Sequence, residues 1–159
     1  IDSLWEANMD LLDPNVPLDL YDDSWKIYAR NPVMPPQYVA DGAVTQNAMI
    51  SEGCYVEGEV DFSILFAGVT VEKGAVVHDS IVMPGSVIKA GAVVEYSIVA
   101  EDVVVGENAL VGCRPENMED KQNWGVTVIA KGIQIGKGAK VPAKAMIEQD
   151  VPEVSGDDE

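Results

Sequence analysis

Aliphatic residues recur every six positions over much of the chain. The clearest stretch runs Ile129-Ala-Lys-Gly-Ile-Gln, Ile135-Gly-Lys-Gly-Ala-Lys and Val141-Pro-Ala-Lys-Ala-Met, and ends at Ile147. Similar hexads open at Ile50, Val71, Ile88 and Val105. A longer period of 17 residues contains this one: VEKGAVVHDSIVMPGSV from Val71 to Val87 aligns with IKAGAVVEYSIVAEDVV from Ile88 to Val104, and a third copy starts at Val105. Neither a helix of period 3.6 nor a plain alternating strand gives a sixfold recurrence. A triangular coil does. Three short strands of about six residues each make one turn, and because one turn cannot bury its apolar face alone, successive turns must stack. Each hexad opener then points inward onto the opener of the next coil, and small residues take the corners, where glycine relieves unusual φ.

This pattern resembles the hexapeptide-repeat family. The resemblance implies an all-β fold, a left-handed parallel β-helix, preceded by a short N-terminal helix and a Pro-rich linker. The register used here puts Val93 and Val105 among the inward residues.

Upstream of the hexads, Ser3-x-x-Glu6 has the spacing of a capping box. Leu4, Ala7, Met9, Leu11 and Leu12 follow at mostly helical spacing, and Asp13-Pro14 closes the run, which predicts a short amphipathic helix over 3–13. Its apolar face requires a partner, either the β-helix or a domain outside the chain. Residues 14–38 hold five of the nine prolines. There Leu18 to Asp23 reads as a second helical turn, Trp25 to Ala29 as an edge strand, and Asn31 to Pro36 as an extended connector. The expected division is 1–38 for helix and linker, 39–151 for the β-helix, and 152–159 for an acidic disordered tail. Residues 113–125 interrupt the hexads and read as a loop projecting from a corner, with Trp124 placed to pin it back.

Composition narrows the function classes. The net charge is −17, from 27 acidic and 10 basic residues, which argues against nucleic acid or an anionic membrane as partner. No apolar run is long enough to span a bilayer, and the acidic start Ile1-Asp-Ser-Leu-Trp-Glu does not read as a signal peptide. Cys54 and Cys113 lack paired spacing and read as reduced thiols. These features point to a cytoplasmic protein. The chain begins at Ile and enters a helical pattern at once, like the tail of something longer.

Candidate chemistry is sparse. His78 is the single histidine, too few for a three-histidine zinc site. Asp79 beside it would face the opposite side of an extended strand, a poor position for orienting a base. A hexapeptide acyltransferase using His78 as base is nonetheless one reading of the chain. Among the cations, Arg114, Lys121, Lys131, Lys137, Lys140 and Lys144 cluster late in the sequence and are candidates for binding a phosphorylated effector.

Leu4-Trp-Glu-Ala-Asn-Met-Asp-Leu-Leu, Leu18-Asp-Leu-Tyr-Asp-Asp-Ser-Trp-Lys-Ile-Tyr and Pro35-Pro-Gln-Tyr-Val, followed by Ile50-Ser-Glu-Gly-Cys-Tyr-Val and Ser63-Ile-Leu-Phe-Ala-Gly-Val-Thr-Val, resemble the linker and β-helix of the bacterial glucose-1-phosphate adenylyltransferase family. The resemblance implies a nucleotidyltransferase domain N-terminal to this segment, which makes ADP-glucose and pyrophosphate from ATP and glucose 1-phosphate with magnesium for glycogen synthesis. It implies that the β-helix serves subunit contacts in a homo- or hetero-tetramer and allosteric control. No catalytic residue, metal ligand or cofactor site carries over to any position here, so the segment alone is expected to be inactive. A non-catalytic scaffold subunit is the remaining alternative.

Overall fold

A computed structural model describes residues 1–20, 22–25, 33–118 and 121–154. It forms a parallel β-solenoid of about six turns with three flat faces, each a six-stranded sheet in which every pairing is parallel. Face 1 runs from Tyr38–Val39 to Gln134–Ile135, face 2 from Val44–Gln46 to Lys140–Val141, and face 3 from Met49–Ile50 to Met146–Ile147.

The interior consists of three columns, one per face. Val39, Val56, Val71, Ile88, Val105 and Ile135 stack in register on face 1. Thr45, Val60, Val77, Val94, Val111 and Val141 do so on face 2. Ile50, Leu65, Val82, Val99, Ile129 and Ile147 complete face 3. From Val56 to Ile129 the residues of these columns are almost completely buried. Each fully buried Val or Ile stabilises the stack by about 1.5–3 kcal/mol relative to exposure.

The columns correct one sequence expectation. Val105 points inward, but Val93 lies on the outer side of face 2 and its neighbour Val94 is the fully buried residue. The steps between column residues explain this. From Ile88 the chain takes six residues to Val94, five to Val99 and six to Val105. The opener of the second hexad is therefore Val94, and the shortened step lies at the corner between faces 2 and 3. That corner turns on a residue with positive φ in each of four coils: Asn47, Phe62, Asp79 and Tyr96, at 41–49°. Asn and Asp tolerate this region, whereas bulky residues do so rarely. Phe62 and Tyr96 are held there by packing outside the solenoid.

That packing comes from the N-terminal helix, α1 (Asp2–Met9), which continues as a 3-10 turn over Asp10–Leu12. Trp5, Met9 and Leu12 lie against Ile64, Ile81, Ile98 and Val126 on the outer side of face 3, with Phe62 beside them. The β-helix is thus the partner of the helix's apolar face. The capping box does not form: the N-cap is Ile1, no side chain caps the helix, and the amides of Leu4 and Trp5 both donate to the Ile1 carbonyl. The described residues between Leu18 and Asp23 are turn and coil rather than helix. The expected edge strand falls mostly on 26–29 and the start of the connector on 31–32, outside the described residues.

Candidate functional site

Three strand ends on face 2 place Asp61, His78 and Glu95 in one column at the second corner, one per coil. After Val111, Gly112 (φ +71°) turns the chain out of this same corner, and it rejoins face 3 at Thr127–Ile129. The excursion brings Arg114 back onto the column. Arg114 Nε donates to Glu95 Oε1 at 2.9 Å, and its Nη2 meets His78 Nδ1. On the other side of the ring, His78 Nε2 lies 2.8 Å from Glu59 Oε1. The imidazole is mostly covered, with a side-chain exposure of 12%.

Aromatic rings close the site. Trp5 stacks on Tyr96 with centroids 5.6 Å apart, and Trp124 meets Tyr96 edge-on at 5.1 Å. Trp5 Nε1 donates to the Asp79 carbonyl at 2.7 Å, and Trp124 Nε1 to the Cys113 carbonyl at 2.8 Å. Helix, corner and excursion therefore share one aromatic centre. Burial raises the pKa of Asp79 above its ordinary value, against the opposing pull of Arg114. The same cause raises Cys113 and Tyr96. The Glu95 hydrogen bond raises Arg114 still further, so it stays charged.

Asp79 turns the corner and makes no hydrogen bond to the ring, so Glu59 and Arg114 are what orient His78. Sequence reasoning missed Glu59 and Glu95. The signal was available for Glu95, which follows His78 by one 17-residue period, as Asp61 precedes it. Both imidazole nitrogens are engaged, which leaves no free lone pair for a general base.

The late cations do not converge. Lys131 lies at the corner between faces 3 and 1, Lys137 between faces 1 and 2, Lys144 between faces 2 and 3, and Lys140 on face 2 itself. Lys131 is 3.8 Å from Asp102 and Lys137 is 3.0 Å from Glu107. Lys137 thereby rises above the ordinary lysine range while Glu107 falls below that of glutamate. Lys140 and Lys144 form no ion pair among the described residues. Lys121 opens a short 3-10 turn of the excursion. Cys54 is buried and Cys113 partly so, and both are free thiols. Among the described residues no group of histidine, cysteine and carboxylate side chains could hold a metal ion, and no helix is long and apolar enough to cross a membrane.

Glucose-1-phosphate adenylyltransferase of Clostridium beijerinckii is 55% identical over 80 residues, and that of Geobacillus stearothermophilus is 57% identical over 77. These stretches cover 50% and 48% of this chain but only 21% and 20% of those proteins, within their C-terminal region. The acetyltransferase domain of PglB from Neisseria gonorrhoeae FA1090 superposes over 75% of this chain and 52% of its own, with a TM-score of 0.49 and 18% identity. The family model described as GlmU-like, C-terminal hexapeptide matches residues 35–135, the stretch that builds the stacked columns, and the chain belongs to that family.

Proposed function

We propose that this chain is the C-terminal assembly and regulatory part of a glucose-1-phosphate adenylyltransferase. The observation that carries this reading is the 54–57% identity to enzymes of that name, confined to their C-terminal region. On this reading residues 1–38 are the helix and linker that leave a nucleotidyltransferase domain, and 39–151 form the solenoid. The chemistry lies in that upstream domain: ATP and glucose 1-phosphate become ADP-glucose and pyrophosphate with magnesium, in the cytoplasm, for glycogen synthesis. None of it falls to this chain.

The solenoid supports the assembly role through its N-terminal end. Among the described residues, Tyr38–Val39, Val44–Gln46 and Met49–Ile50 end their sheets and pair on one side only. Val39, an interior column residue elsewhere in its row, is 42% exposed there. Open strand edges with an apolar centre are templates for pairing with another chain. In the regulatory role an anionic effector would meet Lys140 and Lys144 first, because Lys131, Lys137 and Arg114 already face carboxylates.

Joining this chain to the nucleotidyltransferase portion of the Geobacillus stearothermophilus enzyme tests the reading. The expected product is an oligomer that makes ADP-glucose, and Val39→Asp should lower its subunit number in light scattering. Turnover by this chain alone, or a folded chimera that stays monomeric, would overturn it.

A further inference from the structure

The contacts of His78 specify its protonation state. A guanidinium can only donate, so the Nδ1 that meets Arg114 Nη2 must be an unprotonated acceptor. A carboxylate can only accept, so the Nε2 facing Glu59 carries the proton. The ring is thus the neutral Nε2–H tautomer, in the middle of a chain that runs from Glu95 through Arg114 and His78 to Glu59.

A second proton has one place to go, Nδ1. There it would set N–H against N–H and cation against cation. Arg114 would lose His78 while keeping Glu95 through Nε. Glu59 and Asp61 on the preceding coil, Asp79 on its own coil and Glu95 on the next supply carboxyl groups around the ring. Arg114 opposes protonation, while Glu116 and Tyr96 act on the same group of charges. Histidine is the side chain whose charge changes near physiological pH.

We propose that His78 is a proton-controlled latch for the corner excursion. Neutral, it holds Arg114, and with it the stretch from Cys113 to Met118, against the column. Protonated, it releases the Arg114 Nη2 contact and loosens that stretch. Trp124 reports the change, because its indole N–H is bonded to the Cys113 carbonyl. The latch does not depend on the enzyme assignment above.

Nitrogen-15 NMR of the intact chain tests it. Above the imidazole transition the spectrum should show an unprotonated Nδ1 and a protonated Nε2. On acidification the Trp124 indole resonance, identified by Trp124→Phe, should move with the same midpoint as the ring nitrogens. Glutamine can donate and accept but does not titrate, so His78→Gln should keep the alkaline Trp124 position and abolish its movement. His78→Lys, a permanent cation facing Arg114, should show the acidic position throughout. An Nδ1–H tautomer, a Trp124 resonance that stays fixed while the ring titrates, or an unchanged transition in His78→Gln would each overturn the latch. If the lysine variant fails to fold, the wild type and the glutamine variant still decide.

Discussion

The backbone amide of Ser97 donates to the hydroxyl of Ser80, one coil earlier, at 3.1 Å. The Ser80 amide makes the same bond to Ser63, also at 3.1 Å. Each hydroxyl in turn donates to the carbonyl two residues back in its own coil: Ser63 to Asp61, Ser80 to His78 and Ser97 to Glu95. A buried serine ladder therefore adds to the coil-to-coil backbone hydrogen bonds at this corner, such as that from the Tyr96 amide to the His78 carbonyl. Ser80→Ala should cost about 1–3 kcal/mol, because it strands the buried Ser97 amide. Ser97→Ala should cost less, since among the described residues no amide donates to its hydroxyl. Urea unfolding of the two variants compares them. Equal losses would count against the ladder.

The inward and outward sides of face 2 give a second test, at adjacent positions. Val94→Asp buries an unpaired charge between coils and should destabilise by several kcal/mol. Val105→Asp should do the same. Val93→Asp, on the outer side, should cost roughly 1 kcal/mol or less. The thermal midpoints of the three variants read out the register directly. A Val93 variant as damaged as the Val94 variant would refute the five-residue step at the second corner.

The hexad openers were legible in the sequence because a stacked coil repeats its inward residues, and Ile129, Ile135, Val141 and Ile147 occupy the columns as the period requires. What the period could not supply was length variation at one corner. A uniform hexad has no means of showing that Tyr96 turns with positive φ and shortens the step from Val94 to Val99, so Val93 was misplaced. The candidate site was legible only in fragments. His78 and Arg114 stand out by type, but their meeting depends on where the chain re-enters the solenoid after Gly112. The choice of Glu59 over the adjacent Asp79 as ring partner depends on corner geometry. The capping box failed for a related reason: Ser3 has the right spacing, but the helix begins one residue earlier, at Asp2.

Two glycines with nearly equal φ separate conformational strain from crowding. A Cβ on Gly112 (φ +71°) would sit 2.0 Å from the Glu95 carbonyl oxygen and 2.6 Å from Ser97 Oγ, whereas one on Gly132 (φ +73°) meets nothing within 4 Å. Gly132→Ala should therefore cost only the left-handed strain, about 1–2 kcal/mol. Gly112→Ala should cost clearly more, because backbone must move, and it should also disturb the excursion that carries Arg114. Unfolding free energies compare the costs, and the Trp124 indole resonance shows whether the excursion shifts. Similar costs with an unmoved resonance would place the origin of the excursion elsewhere.

Asp79 supplies a prediction in which removing a charge stabilises the protein. Its carboxyl is partly buried, so its pKa is raised in the folded state despite the Arg114 cation nearby. The folded chain then holds a proton that the unfolded chain has already lost. Stability falls as pH rises from the ordinary aspartate value, about 3.9, through the raised folded value, and the full penalty persists at neutral pH. Asparagine has nearly the same shape, does not ionise and tolerates the φ of +49° at this corner. The Trp5 hydrogen bond goes to the backbone carbonyl of residue 79 and survives the change. Asp79→Asn should thus be more stable than the wild type at neutral pH, and the gap should close on acidification as Asp79 becomes protonated in both states. Unfolding measured in urea across the acid range follows that gap. A variant less stable at neutral pH, or a gap that widens toward acid, would mean that the attraction of Asp79 to the Arg114 charge outweighs its burial.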